Sequence, residues 1–141
     1  MTDQKNNQSP PREFILHLKR RESGEEVDLR IPVVDELSPG LFLLGCDGEY
    51  DGQMIGGYEV LHGPSQSCLI SGTSKYKEQV FKYAKAFSLL GLDWSLSAKL
   101  FAQQEGVGAV RQLVQLYKSG IAIDQVHPIS DQNYLERSHE N

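Results

Sequence analysis

Lysine and arginine are missing altogether from Ile31 to Gly72, a stretch that carries Asp35, Glu36, Asp47, Glu49, Asp51 and Glu59. Such a segment has no cation with which to track a phosphate backbone, and nucleic acid is disfavoured as its partner. Cysteine is scarce: Cys46 and Cys68 are the only two, no Cys-x-x-Cys occurs, and the four histidines at 17, 62, 127 and 139 are scattered. That spacing excludes the usual zinc signatures, so neither metal nor cofactor is expected, and the two thiols are expected to be reduced and in the core. No apolar run approaches the roughly 18 residues of a membrane span. The opening "MTDQKNNQSPPRE" is too polar for a secretory signal, which makes the cytoplasm the expected compartment. Gly-Lys-Ser/Thr and Gly-x-Ser-x-Gly are both absent, and with them the phosphate loop and the nucleophile elbow.

What is present reads as an ordinary globular chain. Its 141 residues are 39% hydrophobic and 23% charged, with six Tyr, five Phe and one Trp, enough for one core that buries roughly two-thirds of the unfolded surface. The net charge of −5 conceals a segregation. The acidic stretch is followed by residues 73–120, which hold seven basic and three acidic side chains. Either the two parts attract each other as layers of one domain, or the acidic part meets a basic partner.

Residues 1–12, with Pro10 and Pro11, read as a flexible lead-in, 13–134 as a single domain, and 135–141 as a frayed tail. Period-two alternation places Phe14, Leu16 and Leu18 on one face and Val27, Leu29, Ile31 and Val33 on another. A two-residue loop at Ser23-Gly24 would pair Leu18 with Leu29, Leu16 with Ile31 and Phe14 with Val33, with His17 solvated opposite Arg30. "LFLLGC" at 41–46 lacks alternation and predicts a strand covered on both faces, and "GYEVLH" and "SCLISG" supply two more. Three helices follow. The first is capped by Thr73 or Ser74, with Tyr76, Val80, Tyr83, Ala84, Phe87 and Leu90 inward. The second spans Ser95–Gln104 and buries Leu96, Leu100 and Phe101; the third, about 107–118, buries Val107, Val110, Leu113, Val114 and Tyr117. Ile121–Val126 offers a short last strand. Strands before helices predict an α+β fold: an antiparallel sheet of about four to five strands from the N-terminal half, packed on one face by about three C-terminal helices.

"CDGEYDGQMIGG" comes nearest to a chemical motif. Asp47, Glu49, Asp51 and Gly52 occupy positions 1, 3, 5 and 6 of a calcium loop, but position 12 is Tyr58 and Glu59 comes one step late. A hairpin turn with Gly48 and Gly52 at positive φ is the reading adopted, ahead of a cation site or an acid–base pair. In "HGPSQSCLISGTSK", His62, Ser65, Ser67 and Cys68 supply the residue types of a nucleophile and a base, and Thr73 and Ser74 stand at a helix N-terminus where an anion can bind. The helical pair over 95–118 resembles a helix-turn-helix with Arg111 and Lys118 exposed, although neither Gly106 nor Gly108 as the turn satisfies its pattern of small and apolar residues.

The expectation is a non-enzymatic macromolecule-binding module of inhibitor, immunity or adaptor type, without cofactor, membrane or catalytic constellation. Its partner would be another protein with a basic surface, met through Asp47, Glu49, Asp51 and Glu59. The alternatives are a small enzyme or ligand-binding protein with a pocket between sheet and helices, using His62, Ser65, Ser67, Thr73 and Ser74, and DNA binding through residues 95–118. Oligomeric state is left open.

Overall fold

Two alternating stretches build the N-terminal ribbon of the computed structural model, which describes residues 12–126. Strands β1 (Glu13–Lys19) and β2 (Glu26–Ser38) pair antiparallel. The register differs from the expected one by two residues: Phe14 faces Ile31, Leu16 faces Leu29 and Leu18 faces Val27. The connection is a four-residue loop rather than Ser23-Gly24 alone. Arg20 N donates to Glu25 O at 2.8 Å, and Gly24 N donates to Arg20 O at 2.8 Å with Gly24 at φ +74°. A shift of two keeps every side chain on its face, so the hydrophobic pattern accepts both registers and the turn decides. Opposite charges also meet in the observed pairing. His17 lies opposite Asp28 with Nδ1 and Oδ1 2.8 Å apart, Lys19 opposite Glu26, and the Arg20 guanidinium meets Glu25 at 3.0 Å.

Pro39-Gly40 turns β2 back into β3 (Leu41–Cys46), and two bulges in β2 bend the ribbon there. Strands β6 (Gly57–His62) and β7 (Ser67–Thr73) complete a five-stranded antiparallel sheet in the order β1-β2-β3-β6-β7. Between β3 and β6, a separate two-stranded hairpin forms from β4 (Glu49–Tyr50) and β5 (Gln53–Met54). Alternation along β3 sends Leu41 and Leu43 to the helix side and Leu44 to the other. The second cluster, on the face away from the helices, holds buried Ile31, Leu44 and Leu61 under Phe14, Leu16, Leu29, Val33, Phe42 and Ile55. The curled sheet therefore has apolar packing on both sides of its middle, as "LFLLGC" requires.

On the helix side, a 3-10 turn (Ser74–Tyr76) leads into α1 (Lys77–Ser88), which buries Val80, Tyr83, Ala84 and Phe87 against Val60 and Ile70. Full burial of each large side chain contributes about 1.5–3 kcal/mol. Tyr76 is half-exposed because it precedes the helix proper. Neither Thr73 nor Ser74 caps this end through its side chain. The second helix is shorter than expected: α2 spans only Ala98–Ala102, with the Ser97 hydroxyl accepting from Leu100 N, and Leu100 faces solvent. Helix α3 (Gly108–Lys118) turns Val110, Leu113, Val114 and Tyr117 toward the core as its periodicity implies. Residues 121–126 form no strand. They are pinned instead by Gln79, whose side chain bonds both N and O of Ile123, and by the Tyr83 hydroxyl, which donates to Ile121 O at 2.7 Å. Among the described residues no helix is long and apolar enough to cross a membrane. Residues 1–11 of the lead-in expected over 1–12, the domain's end at 134 and the tail at 135–141 lie outside the described residues. Arg12 itself is anchored: its carbonyl accepts from Val33 N and its guanidinium meets Glu36 at 2.9 Å.

Candidate functional site

The acidic loop folds as a tight hairpin. Asp51 at φ +53° and Gly52 at φ +80° form its two-residue tip, the pair of positive φ values that Asp-Gly accepts in a type I′ turn. Gly48, at φ +116°, closes the base by accepting from Ile55 N at 2.7 Å and Gly56 N at 3.2 Å. Side chains opposite each other on paired strands share a face. Tyr50 and Gln53 turn inward, and the Tyr50 hydroxyl donates to Glu13 Oε2 at 2.6 Å. Glu49 and Met54 turn outward, and Met54 is 77% exposed. The hairpin is thus a small platform with one face fastened to the sheet and one face presented to solvent.

Its carboxylates do not act as a set. The Ser74 hydroxyl donates to Asp47 Oδ1, and Lys77 Nζ lies 3.6 Å from Oδ2. Asp47 therefore occupies the start of the helical layer, the place proposed for an external anion, where a negative charge complements the helix dipole. The bond from Ser74, then the Tyr58 hydroxyl, hold its carboxyl below the usual carboxylate range. Glu49 and Asp51 are exposed and enter no ion pair among the described residues. Glu59 belongs elsewhere: it sits on β6 between Leu44 and Ser71, at a shallow cleft of about 320 Å³ lined also by Gly45, Ile55, Gly56 and Gly57. Burial raises its pKa, a bond with Cys68 partly opposing the effect. No group of three or more His, Cys, Asp or Glu among the described residues is arranged to hold a metal ion.

Asp47 carries a pH signature. A folded-state pKa below the unfolded value of about 3.9 contributes stability that is complete above that value and is lost as pH falls through the folded pKa. Urea midpoints measured from pH 7 to pH 3 are expected to fall more steeply for the wild type than for Asp47→Asn, the two curves converging at the acid end. Parallel curves would mean that the carboxylate adds nothing to folding.

His62 is 4% exposed and both ring nitrogens are engaged. Nε2 lies 3.0 Å from Leu96 O, an acceptor, so Nε2 carries the hydrogen; Nδ1 then accepts from the Ser65 hydroxyl at 2.7 Å. Its ring packs against Phe101 at 4.8 Å and Trp94 at 6.2 Å. The pair has the residue types of a hydroxyl nucleophile and its base, but the geometry is that of a clamp between the 63–66 turn and the loop before α2. Ser67 joins this clamp only through its backbone, with Ser67 N donating to Ser65 Oγ at 3.2 Å. Cys68 does not join it. It pairs with Leu61, whose side chain belongs to the opposite face of the sheet. Neither cysteine lies in the core: both are free, Cys46 half-buried and Cys68 exposed. Desolvation of the Cys68 thiol, then the neighbouring Glu59, push it up to about 12.

The structure thus divides the candidates into two ends of β6 and β7. His62, Ser65 and Ser67 gather at one, and Asp47, Thr73 and Ser74 at the other. A cavity of about 600 Å³ lies between β7 and the helices, with Thr73 on its wall but not His62 or Ser65. Met54, Tyr50 and Lys77 escape sequence reading; the one available signal was the Asp-Gly step, which places Glu49 and Met54 on one face once a two-residue turn is assumed. Comparison of the chain with family models, with curated proteins and with solved structures finds no match.

Proposed function

We propose that this protein is a non-enzymatic module that binds another protein, in the manner of an inhibitor, immunity or adaptor protein, through the outward face of the 49–54 hairpin. The observation that carries the reading is the pairing of Glu49 with Met54 on the solvent side of a hairpin whose other side is held by Tyr50. A tight hairpin tip loses little conformational freedom on binding, and a large exposed apolar side chain beside the Glu49 carboxylate suits a basic surface with an apolar socket. Asp47 contributes by holding the hairpin's root to Ser74 and Lys77, not by meeting the partner. Glu59, half-buried on the sheet, is outside the contact. The engagement of both His62 nitrogens supports a binding role over a catalytic one.

Capture of a partner from a lysate of the source cells, followed by calorimetry with that purified partner, tests the proposal. Glu49→Lys with Asp51→Lys, and separately Met54→Asp, are each expected to weaken binding about tenfold or more, a central side chain or a reversed charge pair being worth about 1–3 kcal/mol. Added salt is expected to slow association of the wild type. Affinity unchanged in both variants would place the contact elsewhere.

A further inference from the structure

The cavity between β7 and the C-terminal end of α3 has a definite chemistry. Its volume, about 600 Å³, falls within the range of about 300–1,000 Å³ typical of small-molecule sites. Tyr76 and Tyr117 supply aromatic walls, with Ile121 and Ala122 as an apolar side, and Lys118 is the single charged residue on its lining. These walls are fixed from behind. Tyr117 donates its hydroxyl to Ser71 O at 2.9 Å, its ring packs edge-on against Tyr83 at 5.2 Å, and the Ile121 backbone is held by Tyr83 and, through Ile123, by Gln79. Gly72 makes room: a Cβ there would lie 2.5 Å from the Tyr117 hydroxyl. Two carbonyls of the last turn of α3 are engaged within the chain, Leu116 O by Ile121 N at 3.1 Å and Tyr117 O by Gly120 N at 3.0 Å, so the cation the site offers at this end is Lys118. Lys118 enters no ion pair among the described residues.

We infer that this cavity is a binding site for a small aromatic carboxylate, its ring lying between Tyr76 and Tyr117 and its anion meeting Lys118. The site is independent of the 49–54 hairpin face. Aromatic contact favours a flat ring beyond simple area burial, and the ammonium gives the preference for an anion.

Naphthalene-2-carboxylate and its neutral isostere naphthalene-2-carboxamide, titrated into the 15N-labelled full chain and followed by amide shifts, provide the test. The carboxylate is expected to give saturating shifts centred on residues 71–76 and 117–122, with the carboxamide about fivefold weaker, as an exposed charge pair allows. Lys118→Gln is expected to abolish that difference, and Tyr76→Ala to weaken both ligands about fivefold. Absence of saturating shifts at these residues, equal affinity for the two ligands in the wild type, or a preference that survives Lys118→Gln would each overturn the inference. The comparison of the two ligands on the wild type stands whether or not a variant folds.

Discussion

Gly45→Ala is expected to cost at least about 3 kcal/mol, enough to remove much of the stability of a domain this size. Gly45 sits in the central strand β3, opposite Tyr58 of β6, at φ +134°. A Cβ at this position would lie 2.1 Å from Gly57 O and 2.7 Å from Tyr58 Cα. Both are backbone atoms of a strand hydrogen-bonded on each side, so relief demands moving β6 and not turning a side chain. The φ value adds its own strain, of order 1–3 kcal/mol. Gly52→Ala isolates that second effect: φ is +80° but nothing lies within 4 Å, so about 1 kcal/mol is expected. Urea unfolding followed by circular dichroism of wild type, Gly45→Ala and Gly52→Ala checks both values; equal costs would show that the approach of β6 to β3 is not tight.

Trp94→Ala is expected to cost about 3–5 kcal/mol. Trp94 is 1% exposed and lies in the loop between α1 and α2, where its ring meets Phe101 at 4.7 Å and Phe87 at 6.2 Å. Together with His62 it joins the short helix α2 to the main core, since α2 itself buries no residue fully. Trp94→Phe is expected to cost far less than the alanine change. The indole N–H is buried with no hydrogen-bond partner among the described residues, and an unmade bond of this kind is itself destabilising by about 1–3 kcal/mol, so a phenyl ring forfeits some packing but removes that penalty. Because Trp94 is the single tryptophan, the unfolding transition has to be read by circular dichroism. Equal losses in the two variants would assign an unseen hydrogen bond to the indole.

Both effects depend on contacts made across a turn or loop, Gly45 with Gly57 and Tyr58 and Trp94 with Phe87 and Phe101, and this separates what was legible in the residues from what was not. Alternation in "FILHLK" and "VDLRIPVV", the unbroken apolar run "LFLLGC", and the arc of Val80, Tyr83, Ala84 and Phe87 are local patterns. Each forces a periodicity, and the observed α+β arrangement follows from their order. The hairpin register was not legible because shifting by two residues preserves the faces; the four-residue loop closed by Arg20 and Glu25 selects it. Likewise, an Asp-Gly step announces a turn at 51–52 but not which carboxylate remains free.

Sequence alone determined the main strands and helices, their order and the tight acidic turn, though not the absence of a strand over 121–126 or the exposure of Tyr76 and Leu100, because the former arise from neighbouring residues and the allowed backbone conformations. Tertiary structure alone decided that Asp47 binds the protein's own Ser74 and Lys77, that His62 is locked by Ser65 and Leu96, and that Met54 stands out while Tyr50 reaches Glu13. The physical reason is distance along the chain: Asp47 and Ser74 are 27 residues apart, and Tyr50 and Glu13 are 37 apart. Such partners are chosen by how the curled sheet closes, a property that no short window of residues contains.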